Sequence, residues 1–130
     1  MKIGTVSRLT TVPAKTIRYY ESVGLIPRAE RMDNGYRAYS ENDVANLRFI
    51  SRSRSLGFSV KQVGELLTLW HDQERTSAQV KSLALEHVKE VENKIAELQS
   101  LRTTLLDLTE KCHGDNRPDC PILNDLARRQ

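Results

Sequence analysis

Two cysteines near the end of the chain, Cys112 and Cys120, carry the most specific chemistry in the sequence. Seven residues separate them, unlike the short CxxC knuckle of ordinary zinc sites, and a four-thiolate site would require a second subunit because the chain contains no other cysteine. Two soft thiolates held across a loop suit a soft monovalent ion such as Cu(I), which accepts two-coordinate ligation. Incidental loop cysteines and a reversible disulfide remain open as alternatives. His113 is interpreted as a bystander, because adjacent residues rarely aim at one ion.

A basic, tyrosine-rich segment from Lys15 to Tyr20 is the second candidate site. Lys15 and Arg18 are three residues apart and therefore share one face of a helix. Tyrosine hydroxyls beside them can donate hydrogen bonds to phosphate oxygens while the rings pack on sugars, so this face suits a nucleic acid duplex. The alternative is a solvated basic surface with the tyrosines partly in the core.

A hairpin is predicted after this segment. Asn34 and Gly35 form a dipeptide typical of a tight turn, between short extended segments over residues 28–32 and 36–39. Such a hairpin could act as a wing beside the basic helix. Arg54 belongs to a second basic edge further along the chain.

Charge and aromatic residues are distributed unevenly along the 130-residue chain. Residues 1–70 contain 11 Lys/Arg and 6 Asp/Glu, a balance of +5, whereas residues 71–130 contain 9 and 11, a balance of −2. All seven aromatic residues also lie in the first 70. The length excludes two full enzymatic domains, and the short apolar runs predict neither a membrane span nor a secretory signal. We therefore expect a cytoplasmic chain with two functions in two places.

Short helices separated by turns are predicted to position the basic residues. Helical patterns over residues 3–9 and 13–23 have the spacing of a helix-turn-helix, with Pro13 as a first helical residue because its missing N–H would be unpaired there. Further helices are predicted over residues 40–56 and 59–70, from their apolar periodicity and capping residues.

One long helix is predicted over about residues 78–110, because this segment lacks glycine, proline and aromatic residues. Its apolar residues recur at steps of three and four, the pattern of a coiled-coil seam, and are Ala84, Val88, Val91, Ile95, Leu98, Leu101, Leu105 and Leu108. The seam could fold back on the N-terminal domain. Self-association into a homodimer is favoured, because a helix reaching about 50 Å overhangs a domain of that size.

Four motifs carry a resemblance to a known family: TIRYYESVGLIP, NGYRAYSENDV, SLGFSVKQVGELL and CHGDNRPDCPI. In them the chain resembles, essentially end to end, the MerR family of transcriptional regulators and within it the regulators of copper efflux. The resemblance implies a mainly α fold, with a winged helix-turn-helix DNA-binding domain over residues 1–70. A linker and a long antiparallel coiled-coil helix for dimerisation would occupy 71–110, and a metal-binding loop with a short helix 111–130.

The resemblance also implies a Cu(I)-responsive activator of copper-efflux or copper-tolerance genes, without enzymatic activity. Such regulators bind double-stranded promoter DNA as homodimers together with RNA polymerase. They bend and untwist the DNA to realign promoter elements that are spaced too far apart. A sensor selective for Au(I) or Ag(I) and a cytosolic copper-buffering protein remain as alternatives.

Carried over residue by residue, the resemblance assigns the metal ligands to Cys112 and Cys120. Ser77 stands where sensors of zinc and mercury have a further thiolate from the partner chain, and Lys81 could offset the negative charge of a two-thiolate complex. The residues that would contact DNA lie on the recognition helix, on or near the wing and at one further backbone contact, and are Lys15, Thr16, Arg18, Tyr19, Tyr20, Arg31, Tyr36, Arg37 and Arg54.

Thr11 departs from the family pattern, in which this turn position is commonly glycine. If the position keeps a positive φ, threonine adds strain of roughly 1 kcal/mol, and otherwise the turn must adopt another geometry.

Overall fold

In a computed structural model of the protein, the chain begins with two helices joined by a three-residue turn. The structure describes residues 1–31, 33, 35 and 37–128, and for Arg37 it describes the backbone alone. Contacts divide the chain into two units, Met1–Ala84 and Leu85–Gln130. The described residues are mainly helical with one two-stranded ribbon, which confirms the predicted fold class.

Helix α1 spans Ile3–Thr10 and helix α2 spans Ala14–Ser22, as the helix-turn-helix prediction required. The turn between them is tied by side chains, since the Ser7 hydroxyl donates to the Val12 carbonyl at 2.7 Å and the Val12 N–H donates to Thr10 Oγ1 at 3.3 Å. Pro13 is the N-cap of α2 rather than its first helical residue, with an extended ψ of 144°.

Thr11 adopts the left-handed conformation, with φ 58° and ψ 17°, and it ends α1. Among the described residues other than glycine, no other has a positive φ. A β-branched residue is disfavoured in this region because its Cβ crowds the backbone. The turn has therefore kept the geometry that glycine commonly supplies.

Strands β1, Glu30–Arg31, and β2, Arg37–Ala38, form the wing as an antiparallel ribbon, shorter than the predicted extended segments. Glu30 pairs with Ala38 and Arg31 pairs with Arg37. Asn34 and Tyr36, which the sequence places in the turn and among the DNA contacts, lie outside the described residues.

Helix α3, Glu41–Ser55, and helix α4, Val60–His71, close the core of the first unit. Each begins with a reciprocal capping box, Ser40 with Asp43 and Ser59 with Gln62. The largest side chains with less than 2% exposure come from helices α1 to α4 and from the segment after α2. They are Val6, Ile17, Ile26, Leu47, Ile50 and Val63. They hold α2 at a defined depth in the domain.

Helix α5 runs over 35 residues, Ser77–Lys111, and helix α6 spans Pro121–Ala127. The N-cap of α5 is Thr76, whose Oγ1 accepts the Gln79 N–H at 3.2 Å while Gln79 Oε1 accepts the Thr76 N–H at 2.9 Å. Ser77, although serine is a favoured capping residue, is the first residue of the helix and not its cap. None of the helices within the described residues combines the length and apolar character needed to cross a bilayer.

Candidate nucleic-acid interface and metal-binding loop

Helix α2 presents a polar face to solvent and buries the opposite face. Lys15 and Arg18 are exposed, and Tyr19 is 49% exposed, whereas Ile17 is completely buried. Thr16 is half-buried at the edge of the exposed face. The structure thus brings Lys15, Arg18 and Tyr19 onto one accessible surface, as predicted.

Tyr20 lies on the buried side of α2, with only 7% of its surface exposed, and belongs to the hydrophobic core. Its ring stabilises the domain from inside, 5.9 Å from the ring of Tyr19 between centroids. The prediction that grouped Tyr20 with the DNA-contacting side chains is corrected by this burial. The physical reason is helical periodicity, since Tyr20 follows Ile17 by three residues and shares its face.

Glu21, a site residue that the sequence analysis did not identify, ties α2 to both sides of the wing. This carboxylate is 6% exposed. Its Oε1 accepts the hydroxyl of Tyr39, just after β2, and its Oε2 accepts the N–H of Ala29, just before β1, at 3.4 Å. The sequence offered one sign of this role, because Glu21 is a carboxylate directly after the basic segment from Lys15 to Tyr20. Hydrogen bonds to a buried carboxylate satisfy a group that would otherwise be costly to desolvate.

A cavity of about 200 Å³ lies between α2 and the wing, and its lining includes Arg18, Ser22, Arg28 and Arg31. Arg31, predicted on or near the wing, is thereby placed beside α2. For Arg37 the structure describes the backbone, which pairs with that of Arg31.

Arg54 lies in the last turn of α3 and is exposed. Its Nη1 donates to the Phe58 carbonyl at 2.6 Å, across the turn that Gly57 makes with φ 89°. The side chain is thus held against the α3–α4 turn.

The candidate metal-binding loop joins α5 to α6. Cys112 and Cys120 are both half-buried and both are free thiols. Asp115 shapes the loop between them by accepting the Arg117 backbone N–H at 2.9 Å and the Arg117 Nε at 2.8 Å. Within the part of the chain that the structure describes, no group of three or more His, Cys, Asp or Glu side chains could hold a metal.

Ser77 and Lys81 lie one turn apart at the start of α5 and line one cavity of about 620 Å³ with Gln73, Arg75 and Val80. Both belong to the first unit, whereas Cys112 and Cys120 belong to the second.

The apolar seam of α5 is largely exposed in the single chain. Six of its side chains are between 41% and 60% exposed, namely Val88, Val91, Ile95, Leu98, Leu101 and Leu105. A continuous stripe of this kind on one helix is typical of a helix that packs against a partner. Helices α1 and α2, with the basic face of α2 and the wing beside it, define a winged helix-turn-helix domain of the class that binds duplex DNA.

Comparison with known proteins places the chain within this class. A family model described as MerR HTH family regulatory protein matches residues 1–69, and one described as MerR, DNA binding, matches residues 44–108. The chain belongs to the MerR family of transcriptional regulators.

Three relatives match over 98% of this chain. An uncharacterized HTH-type transcriptional regulator of Pseudomonas aeruginosa is 57% identical, with 96% of its own length covered. The HTH-type transcriptional regulator HmrR of Sinorhizobium medicae is 53% identical, with 87% covered. The HTH-type transcriptional regulator CueR of Salmonella typhimurium is 42% identical, with 92% covered.

Solved structures show the same fold. The transcription regulator PbrR691 from Ralstonia metallidurans, in complex with lead(II), has a TM-score of 0.83 and 33% identity over 98% of this chain and 99% of that one. MerR from Bacillus megaterium, in complex with mercury(II), has a TM-score of 0.72 and 28% identity over 95% of both chains. HiNmlR bound to promoter DNA has a TM-score of 0.55 and 26% identity over 85% and 81%.

Proposed function

We propose that the protein is a Cu(I)-responsive transcriptional activator of copper-efflux or copper-tolerance genes. It works in the cytoplasm as a homodimer joined along α5, on promoter DNA together with RNA polymerase, and it is not an enzyme. The observation that carries the proposal is the pair of half-buried thiols, Cys112 and Cys120, at the two ends of one short loop.

The donors of this loop fit a soft monovalent ion. Cu(I) accepts two thiolates as a complete ligand set, whereas a structural zinc site takes four ligands. Ser77 offers a hydroxyl where a further soft ligand would favour a divalent ion, and Lys81 supplies a positive charge one turn away. When bound, the ion would link the two ends of the loop through Cys112 and Cys120.

The named relatives support metal as the signal. HmrR and CueR are 53% and 42% identical to this chain, and a heavy metal-dependent transcription regulator of Rhizobium meliloti is 53% identical. The structural relatives hold lead(II) and mercury(II), which are divalent ions. The choice of Cu(I) therefore rests on this chain's own pair of thiols and on Ser77.

DNA contacts are proposed for the exposed face of α2, for the wing and for the α3–α4 turn. The α2 contacts are Lys15, Thr16, Arg18 and Tyr19, and the others are Arg31, Tyr36, Arg37 and Arg54. Arginine and lysine on such a surface neutralise backbone phosphates, which positions the protein on the duplex. Metal then shifts transcription only as far as it prefers the conformer that bends and untwists the promoter.

An anaerobic Cu(I) titration with promoter transcription as the readout tests the proposal. Cys112→Ser and Cys120→Ser should each abolish Cu(I)-dependent activation while leaving DNA affinity within a few-fold of wild type, because the thiols lie outside the DNA-binding unit. The matched control is Ser100→Ala, an exposed change on α5 remote in sequence from the loop. Full induction of either cysteine variant would overturn the two-thiolate assignment.

The alternatives give different results in the same titration. A gold- or silver-selective sensor would respond to Au(I) or Ag(I) at lower free concentration than to Cu(I). A copper-buffering protein would bind the ion without a sequence-specific, salt-dependent footprint on DNA. A redox switch would change DNA affinity through a Cys112–Cys120 disulfide in the absence of metal.

A further inference from the structure

The cavity between α2 and the wing draws its arginines from separate parts of the chain. Arg18 comes from α2, Arg31 from β1, and Arg28 from the connection between them. All three side chains are exposed. Arg18 and Arg31 are among the DNA contacts proposed above, whereas Arg28 is not, although it lines the same cavity.

Arg28 sits on a backbone that is anchored on both sides. Ile26, two residues before it, is 1% exposed and belongs to the core. Ala29, immediately after it, donates its N–H to the buried carboxylate of Glu21 at 3.4 Å. Pro27 further restricts the backbone between Ile26 and Arg28. An arginine on such a restrained segment loses less freedom on binding than one on a flexible loop.

Glu21 also lines this cavity. It lies one turn after Arg18 on α2, and its two oxygens accept hydrogen bonds from Tyr39 and Ala29, which flank the ribbon. The same carboxylate therefore holds the walls that carry Arg18, Arg28 and Arg31. Three guanidinium groups and one carboxylate leave a net formal charge of +2 around the opening.

The cavity is continuous with the exposed face of α2, because Arg18 and Ser22 are four residues apart and line it together. We propose that Arg28, Arg18 and Arg31 form a preorganised cradle for one phosphodiester group of the DNA backbone. Guanidinium groups suit this ligand, since their planar donors match two phosphate oxygens at once. The inference rests on the proposed function and adds Arg28 as a phosphate-binding residue.

The salt dependence of DNA binding provides the first test. A site is selected from a random duplex pool with the wild-type protein, and its affinity is measured by fluorescence anisotropy across salt concentrations. Each phosphate that is no longer neutralised reduces the magnitude of the negative slope of log K against log salt by about 0.9. Arg28→Ala leaves Arg18 and Arg31 at the same phosphate, so it should reduce this magnitude measurably but by less than the roughly 1.8 of two complete contacts in a dimer. The change should be the same on a scrambled duplex, because a phosphate contact carries no sequence information.

Two further variants separate the cradle from a general charge effect. Lys89→Ala removes one exposed positive charge on α5, outside the DNA-binding unit, and should leave the slope unchanged. Arg28→Lys should restore most of the slope but not the full affinity, because ammonium lacks the paired planar donors. Thermal unfolding of each variant confirms that the fold is intact.

Replacing single backbone phosphates by neutral methylphosphonates identifies the group itself. At one position in each half-site, the replacement should weaken wild-type binding by roughly tenfold and weaken Arg28→Ala binding far less. Equal responses of the two proteins at every position would overturn the cradle, as would an unchanged salt slope for Arg28→Ala. Stabilisation of wild type but not Arg28→Ala by inorganic phosphate, without any slope change, would assign the cavity to a free anion instead. Absence of salt-dependent duplex binding by wild type would contradict the proposed function itself.

Discussion

Thr11 is the residue at which the helix-turn-helix stores backbone strain, with a φ of 58° that a β-branched side chain rarely adopts. Thr11→Gly should remove about 1–2 kcal/mol of strain, offset in part by about 0.5–1 kcal/mol of added freedom in the unfolded chain. The expected net gain is about 0.5–1 kcal/mol in the free energy of unfolding, measured by thermal denaturation at matched concentration. Thr11→Ala, which keeps Cβ, should show no comparable gain. Equal stabilisation by both variants would show that strain at φ is not the cause.

Ser77 is the residue whose replacement tests metal selectivity. Because Thr76 supplies the cap of α5, Ser77 can change without removing that capping box. If the family arrangement of subunits holds, Ser77→Cys adds a thiolate near the partner's loop, and the variant should gain measurable Zn(II) binding in a competition titration. Ser77→Ala is the matched control. If the two variants bind Zn(II) equally weakly, Ser77 does not determine the metal.

At the scale of the element, the start of α5 depends on Thr76 and Gln79, which satisfy each other's N–H groups. Thr76→Ala should therefore lower the free energy of unfolding by about 1 kcal/mol, whereas Ser77→Ala should change it by only a few tenths. Urea denaturation of the two variants beside wild type makes the comparison. A larger loss for Ser77→Ala would return the cap to Ser77.

Helix α2 performs two tasks with its two faces. Ile17 and Tyr20 pack into the core, so that Lys15, Arg18 and Tyr19 are held outward at a fixed depth. Glu21 then connects the buried face to the wing through Tyr39 and Ala29. Glu21 therefore ties the helix that exposes Lys15, Arg18 and Tyr19 to the residues on either side of the wing.

At the scale of the whole molecule, the exposed seam of α5 predicts a dimer. Leu98 is 55% exposed in the single chain and lies at the centre of the apolar stripe. Leu98→Lys would place two charges in the interface and should convert the dimer to monomer at micromolar concentration, as seen by sedimentation equilibrium. Ser100→Lys, about 200° around the helix from Leu98, should leave the dimer intact. A monomeric wild type would contradict the coiled-coil prediction before any variant is made.

The proposed functions fall in different units of the chain. The basic residues of the first unit suit DNA, and the thiols of the second suit a soft ion. A substitution tests one of these functions separately only if both units still fold in the variant. The cysteine variants and the Arg28 variants are therefore complementary tests of one regulator.

Features that depend on near neighbours along the chain could be predicted without the structure. Apolar periodicity predicts helices α1 to α5, and the pairs Ser59 with Gln62 and Cys112 with Cys120 can be identified from spacing alone, because their geometry is set within one turn or one loop. Gln79 follows Thr76 by three residues, which is the spacing of a capping box at the start of α5. Serine is also a favoured cap, so the sequence alone does not decide between Thr76 and Ser77.

Features that require residues distant in the chain to meet appear only once the chain is folded. Helical spacing groups Tyr20 with Ile17 on one face of α2, but only the packing of that face against the core makes Tyr20, and not Tyr19, the buried tyrosine. In the sequence, nothing distinguishes Arg28 from the other arginines. In the folded chain, Glu21 accepts hydrogen bonds from Ala29 and Tyr39, and Arg28 lines one cavity with Arg18 and Arg31. The physical reason is that burial and charge convergence arise from contacts between elements, which no local pattern encodes.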